Sequence, residues 1–426
     1  MKRLPFFQAG LTITLMIWAL ELMGVYGWVD RKALDYLSRY DYAAPEWVDN
    51  MAVVQVDAST VVTYGEGQWP FSRLAYAIAL HSLRQQGVRG AGFEMVFLER
   101  DPAYSIFDGT FANQVSRFPH TVFAAGALKT GGDTFMPLGN MQQIKADPSD
   151  VRLMPSYSGA LFPLEVFAEH GKLGFHNFAP DIDGVVRSVP LLFRFGDEVY
   201  PSFLLQCLMA YEGVQPGDVS LEGGKLTLKR NGEDIHCIPL DRLGRLLIRF
   251  RPNFHIKNSV GLDVLVLAAQ QHAKKEGQPA WDMELLPNRF VFISREAPQT
   301  CKPITTPMGD YIPMKLHAAA WQTIFSEDFL TFPPHWAKLA LYIFMSAILM
   351  LLIHAMPKAW AIILSTFLLL DIFILIAVLF YLFNLWLSVM GLWLVILANV
   401  AVGFWCKHRP AAVGTDENTV QPPATT

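Results

Sequence analysis

The sequence predicts an α/β domain with a mixed β-sheet held outside the cytoplasm, plus four transmembrane α-helices, one N-terminal and three C-terminal. Three observations predict it. Apolar runs stand at 6–28, 336–356, 359–383 and 386–406, each near the about 20 residues a helix needs to cross hydrocarbon. The short basic segments all fall on one side of such a layout. Between 29 and 335, short β-branched runs alternate with segments of helical period, the pattern of packed helix and sheet layers.

Phe6 to Trp28 follows Lys2 and Arg3. Its apolar core is longer than that of a cleaved signal and lacks a small-residue cleavage site. It ends in Val25-Tyr26-Gly27-Trp28, the aromatic edge of a membrane anchor. Lys358 lies between the second and third runs, Lys407 and Arg409 follow the fourth, and the 383–385 loop carries no charge. Four crossings starting inside put all these cations in the cytoplasm. Arg31 and Lys32 open a long translocated segment, where charge weighs less. The expected divisions are an anchor at 1–28, an extracytoplasmic domain at 29–335, a three-helix membrane region at 336–406 and a cytoplasmic tail at 407–426. The Pro, Thr and Ala content of that tail reads as disordered, and it is too short to hold an enzymatic domain.

Within the domain, Met51 to Asp57 reads as a buried strand. Arg73 to Gln86 has helical spacing, with Leu74, Ala77, Ile78 and Leu83 on or near one face, and Gly87 stops it. Ala91 to Phe97 is the next strand, closing a right-handed parallel unit. Helix 107–118 and strand 121–125 repeat the step. Farther on the pattern turns antiparallel. Runs 172–178 and 185–195 flank the turn Asp181-Ile182-Asp183-Gly184, and 221–229 and 235–240 flank Asn231-Gly232, a hairpin signal. Strands follow at 246–250 and 289–293, and helices at 201–211, 260–272 and 314–325.

The net charge of −4, without a basic stripe, excludes a nucleic-acid partner. The four cysteines are too few for a disulfide framework. Cys207, Cys237 and Cys301 face the oxidising side and Cys406 the cytoplasm. Their odd number outside leaves at least one free thiol or three buried ones, with one bridge unassigned.

Several pieces, in their order along the chain, resemble the extracellular sensory domain called CHASE, type 2. They are Leu34-Asp35-Tyr36-Leu37-Ser38-Arg39, Val54-Gln55-Val56-Asp57 and Gln68-Trp69-Pro70-Phe71-Ser72-Arg73. Gly92-Phe93-Glu94-Met95-Val96-Phe97 and Gly174-Phe175-His176-Asn177 follow. Then come Asp181 to Arg187, Pro201-Ser202, Pro239-Leu240-Asp241 with Gly244, and Thr306-Pro307 with Leu316-His317-Ala318. The resemblance covers nearly the whole chain and implies a sensory domain of a bacterial membrane receptor. The chain departs from the family pattern at Ser72, where a second proline is usual, and at Glu94, where the strand carries aspartate. It departs again at Met314-Lys315, where a glycine is usual, and at Cys301-Lys302-Pro303, where the last strand's loop carries aspartate. The family usually adds a cytoplasmic output module; with none after Arg409, the resemblance implies a separate effector.

Four constellations invite a chemical reading. Asp181 and Asp183 before Gly184 resemble the start of a cation loop, but the later ligands are missing. A turn with Arg187 paired to an acid is the alternative. Asp57, Trp69, Arg73 and Glu94 fall where strand ends meet a helix start, the usual place for a ligand in a parallel sheet. There Arg73 either docks an anionic small molecule or pairs internally with Asp57 or Glu94. His317 has Trp321 rather than a second ligand at i+4, so it reads as a packed or hydrogen-bonded core histidine. Asp371 falls mid-span, at a cost of about 3 kcal/mol on insertion scales. Asn399 and Ser346 stand at its depth, so either they hold it or a partner helix supplies a cation. Glu21 and Lys338 share another level. No catalytic motif, metal set or cofactor motif is recognisable.

The expectation is a non-enzymatic sensor in a bacterial inner membrane, with the bilayer, an unidentified small-molecule ligand and a separate effector protein as partners, and a homodimer among the possibilities. The alternative is an assembly or scaffold protein docking other membrane proteins.

Overall fold

The computed structural model describes residues 4–42, 49–130, 141–274, 286–297 and 301–408. The tail read above as disordered lies outside them beyond His408, as do the side chains of Lys2, Arg3, Cys406, Lys407 and Arg409. The chain divides into two compact units, one of Met1–Leu34 with Thr331–Thr426 and one of Asp35–Leu330. The helices in chain order are α1 (Leu4–Leu22), α2 (Gly27–Arg39), α3 (Ala58–Gly65), α4 (Arg73–Gln85), α5 (Ile106–Ser116) and α6 (Pro148–Val151). They continue with α7 (Glu165–Ala168), α8 (Phe203–Glu212), α9 (Leu262–Lys274), α10 (Pro313–Phe325), α11 (His335–Ala355), α12 (Lys358–Phe383) and α13 (Val389–His408).

The larger unit is built on one mixed sheet. Its strands run in the order Ser259–Gly261, Met51–Val56, Phe290–Arg295, Gly90–Glu94, Thr121–Leu128 and Gly159–Leu161, with Lys172–Phe175 also on Thr121–Leu128. The pairings are parallel except that of Gly159–Leu161. Pleating sends alternate residues to opposite faces, and both faces are covered. Val53, Phe290 and Phe292 join one core with residues of α8 and α10. Val54, Phe93, Val291 and Ile293 join another with residues of α4, α5 and α9. That two-sided burial is why the central strands read as continuous apolar runs.

Helix starts follow local chemistry. Asp57 accepts the Thr60 N–H at 2.8 Å and caps α3. Ser72 caps α4, so the residue standing in the family's proline position serves as an N-cap. Ser202 caps α8, and Gly213, at φ 71°, ends it. Asn231 and Gly232 both take positive φ, and Lys225–Arg230 pairs antiparallel with Glu233–Pro239 across them, as that dipeptide predicts.

One expected hairpin is not formed. The strands either side of Asp181-Ile182-Asp183-Gly184 do not pair with each other. Lys172–Phe175 joins the main sheet, whereas Ser188–Pro190 pairs antiparallel with Arg245–Leu247 and Leu192–Phe195 with Glu198–Pro201. The turn itself is present, closed by Gly184 N–H to Asp181 O at 2.9 Å. Its flanks diverge because each finds a longer-range partner.

In the smaller unit, α11 and α12 are long and apolar enough to cross a membrane. Phe7–Leu22 and Gly27–Arg39 meet that test only as a pair bent by 74°, and Val389–Trp405 is a shorter apolar helix. The first run therefore ends at Leu22 rather than near Trp28. A turn at 23–26, with Gly24 at φ 72°, separates it from α2.

Glycine 174 sets the distance from sheet to α8. A Cβ there would lie 2.6 Å from Phe203 Cα and Ser202 O, while a Cβ at Gly217 meets nothing within 4 Å. Gly174→Ala should therefore lower the thermal midpoint of the detergent-solubilised chain by several degrees, and Gly217→Ala should leave it within about 0.5 kcal/mol of the wild type. Tryptophan fluorescence on heating reads both, and equal midpoints would show that α8 shifts freely.

A buried polar row at the carboxyl edge of the sheet

Parallel register aligns three polar side chains. Gln55, Ser294 and Glu94 are cross-strand partners on three adjacent strands, each near its carboxyl end. Residues in register point the same way, so all three project toward the α8 and α10 side, where Gly92 abuts Cys207 and Phe203. From α10, His317 brings Nε2 to 3.7 Å from Glu94 Oε1. The imidazole packs between the rings of Phe178 and Phe203, at centroid distances of 4.9 and 5.5 Å. His176 follows Lys172–Phe175 and turns Nδ1 to Ala125 O at 2.8 Å.

Glu94 and His317 are almost wholly buried, at 5% and 3% exposure. Burial pushes Glu94 up to about 8, Arg295 opposing and Glu296 reinforcing the rise. Burial, with His176 nearby, pushes His317 down to about 3. At neutral pH the two therefore face each other as a protonated carboxyl and a neutral imidazole. Among the described residues, neither ring nitrogen of His317 has a hydrogen-bond partner, although buried polar groups ordinarily find one. Glu296 is better supplied, accepting from Gln55 Nε2 at 2.6 Å and Ser294 Oγ at 3.5 Å. Burial, with Asp57 adding to it against the hydrogen bonds from Ser294 and Gln55, raises Glu296 to about 7. Cys207 lies beside this row. Burial first and Glu94 second raise its thiol well above the usual range, which keeps it protonated and unreactive.

Of the four residues expected to meet at the strand ends, Glu94 is in this row and the other three engage other partners. Asp57 is held by Thr60 and Ser59 as a helix cap. Trp69 lies under Arg295, whose guanidinium carbon is 5.8 Å from its ring centroid. Arg73 belongs to α4, on the opposite face of the sheet, and pairs with neither Asp57 nor Glu94. It donates to Phe71 O and Glu99 O, each at 3.0 Å, over the Phe97 ring. Its helix start is occupied by Asp101, which accepts the Arg73 N–H. The internal role expected of Arg73 is thus met by carbonyls, because pleating puts Glu94 out of its reach. His317 is a packed core histidine, one of the two forms expected of it.

Asp181, Asp183 and Arg187 do come together, and Asp35 joins them. The buried Arg187 guanidinium donates to both Asp35 oxygens at 2.7 Å, to Asp183 at 2.8 and 2.9 Å and to Asp181 at 2.9 Å. Arg245 links Asp181 at 3.2 Å to Asp241 at 2.8 Å. Burial alone would lower the Arg187 pKa, but the bonds to Asp183, Asp35 and Asp181 raise it above its ordinary value. Arg187 and Arg245 engage Asp181 and Arg187 engages Asp183, so guanidiniums offset the charge that a cation loop would need, and the contacts fit the turn with a paired arginine. A second cluster joins Arg249 to Asp41 at 2.8 Å and Arg251 to Asp328. These two clusters hold the first and last segments of the unit.

In the smaller unit Ser346 donates to Asn399 Oδ1 at 2.8 Å, and Asn399 donates to Thr14 at 3.1 Å. Glu21 takes Lys338 at 3.0 Å and Tyr342 at 2.5 Å, so the expected Glu21–Lys338 pair is made. Asp371 is not part of the Asn399–Ser346 set. It lies on an exposed face of α12, because Ser346 and Thr14 already satisfy Asn399. Among the described residues, Cys207, Cys237 and Cys301 are free thiols, and no group of three or more His, Cys, Asp or Glu has metal-binding geometry.

Sequence reasoning missed Ser294, Gln55, His176 and Glu296. The last strand was read to Ile293, one residue short of Ser294. Polar residues at the carboxyl end of each apolar strand were the available signal.

The family model described as the CHASE2 domain matches residues 11–352. No curated protein and no solved structure matches the chain.

Because Glu94 titrates from an ordinary 4.5 to about 8 in the fold, it holds its proton more tightly folded than unfolded. Its stabilising effect is complete below pH 4.5 and is lost as pH rises through 8. His317 finishes its titration below pH 7 and Glu296, at about 7, is half titrated there, so Glu94 makes the larger contribution from pH 7 to 8, a loss of about 1 kcal/mol. The wild-type midpoint should fall across that interval, and that of Glu94→Gln should fall markedly less. Parallel profiles for the two chains would refute the buried, protonated carboxyl.

Proposed function

The chain belongs to the CHASE2 domain family, a family of sensory domains, and from that premise we propose that it is a membrane-anchored receptor for a small polar molecule. The site is the row at the carboxyl edge of the sheet, with Glu94 and His317 as the groups that hold the ligand. The observation that carries this reading is the buried imidazole of His317, both nitrogens without a hydrogen bond among the described residues, opposite a protonated Glu94. Such groups are costly to bury unmatched, and a ligand offering a donor and an acceptor offsets that cost. The neutral pair and the rings of Phe178 and Phe203 suit an uncharged or weakly acidic compound with a flat apolar side. Ligands of parallel sheets bind at this edge. The reading is of binding and not catalysis, since the adjacent Cys207 thiol is held protonated.

We further propose that α1, α11, α12 and α13 all cross a bacterial inner membrane. The domain then lies in the periplasm with both chain ends in the cytoplasm, as the cations at Lys2, Arg3, Lys358, Lys407 and Arg409 favour. Signal leaves the domain where its arginines hold Asp35, Asp41 and Asp328, the residues next to its two chain connections, and passes to a separate protein.

Two measurements test the reading. Thermal-shift screening of the solubilised chain against small amides, weak carboxylic acids and nucleosides should find a compound that raises the wild-type midpoint by several degrees. The same compound should leave His317→Leu unmoved; equal shifts in both chains place binding elsewhere. A reporter inserted in the turn at Gly196 should be active outside the cytoplasm, and one joined after His408 inside it. The reverse assignment removes the proposed topology.

A further inference from the structure

Among the described residues of the smaller unit, two sets of polar side chains are closed. Glu21 has Lys338 and Tyr342, and Asn399 has Thr14 and Ser346. Asp371 stands midway along the 26-residue α12, exposed, and makes no hydrogen bond or ion pair with any described residue. Hydrocarbon offers such a group nothing, since no lipid chain donates a hydrogen bond.

The surface around it has an order. The buried residues of α12 are Ala361, Ser365, Ile372, Ile376 and Phe380, at spacings that place them on one side of the helix. On the other side Trp360, Leu364, Phe367, Ile374, Val378 and Leu382 are exposed. With Asp371 they recur at intervals of three and four residues, the seam along which helices pair knobs into holes. Met356, Pro357, Trp360, Ile363, Leu364 and Phe367 line an apolar groove of about 480 Å³ at one end of that seam. Exposed apolar residues alone suit lipid; an acid centred among them does not.

We propose that this face of α12 docks a membrane-spanning helix of a separate protein that carries a lysine or arginine near its middle. Charge complementarity selects this occupant over a second copy, because a twofold pairing along the seam brings Asp371 against Asp371. A single polar position in an otherwise apolar seam fixes partner and register. The inference rests on α12 crossing the membrane and deepens the reading of a separate signalling partner.

The test uses the full chain in lipid vesicles, with a fluorescent label on the chain and synthetic polyleucine helices as probes. One helix carries lysine at its centre, one leucine and one glutamate. Energy transfer should show the lysine helix binding about tenfold more tightly than the other two, and Asp371→Leu should abolish the difference. Asp371→Leu adds an apolar residue to an exposed apolar face, so it should still insert and fold, as Glu21–Lys338 helix packing read by the same labels would verify. Equal binding of all three helices overturns the proposal, with lipid as the occupant of the face. Self-association of differently labelled chains that is lost in Asp371→Leu also overturns it, with a second copy as the occupant. No small-molecule ligand enters the experiment, so its failure leaves the site at Glu94 and His317 untouched.

Discussion

A parallel sheet covered on both faces by helices leaves solvent access only at its ends, and the larger unit is organised around that constraint. Val53, Phe290 and Phe292 are sealed by α8 and α10, and Val54, Phe93 and Ile293 by α4, α5 and α9. A polar side chain on a central strand can be tolerated only near the rim. Gln55, Ser294 and Glu94 sit there in register, and Gly174 lets α8 close over the same region. The row is thus a consequence of the covering, not an addition to it. A concavity of about 450 Å³ between α4 and α9, bordered by His81, Gln85 and His272, belongs to the other face, and its two histidines are exposed.

The buried charges of this domain are handled in two different ways. Arg187 keeps its charge because three carboxylates, five hydrogen bonds among them, replace the water it loses. Among the described residues Glu94 has the neutral His317 at 3.7 Å and Arg295 at longer range, so proton uptake is the cheaper response to burial. The first arrangement makes a rigid fastening; breaking one partner of such a cluster costs about 3–5 kcal/mol. The second leaves hydrogen-bonding capacity in place without compensating charge. Fastenings suit the segments that enter and leave the domain, and an unmatched neutral pair suits the proposed ligand site.

Much of this was legible residue by residue. The strand at Met51, the helix from Arg73, the turn at Asn231-Gly232 and the helix start at Ser202 all carry local signals that tertiary packing did not override. Glu94 was legible as a polar residue at a strand end. Arg187 was legible as a partner for some acid, but not that Asp35, far off in sequence, would be one. The hairpin expected around Asp181 failed because turn chemistry specifies a reversal and not which strands the flanks will join. The grouping of Arg73 with Glu94 failed because proximity along the chain is silent about which face of the sheet a helix will cover.

The sequence by itself determined where the apolar segments lie, which family the chain resembles, and where strands, turns and caps begin. Those features depend on neighbours a few residues away, so composition and period suffice to read them. Only the tertiary structure decided that Gln55, Ser294, Glu94 and His317 converge, that Arg73 stands apart from them, and that Asp371 is left facing outward while Asn399 is satisfied within. Each of those outcomes turns on strand register, on the face a helix covers, or on which of two polar groups reaches a partner first, and no local pattern encodes any of the three.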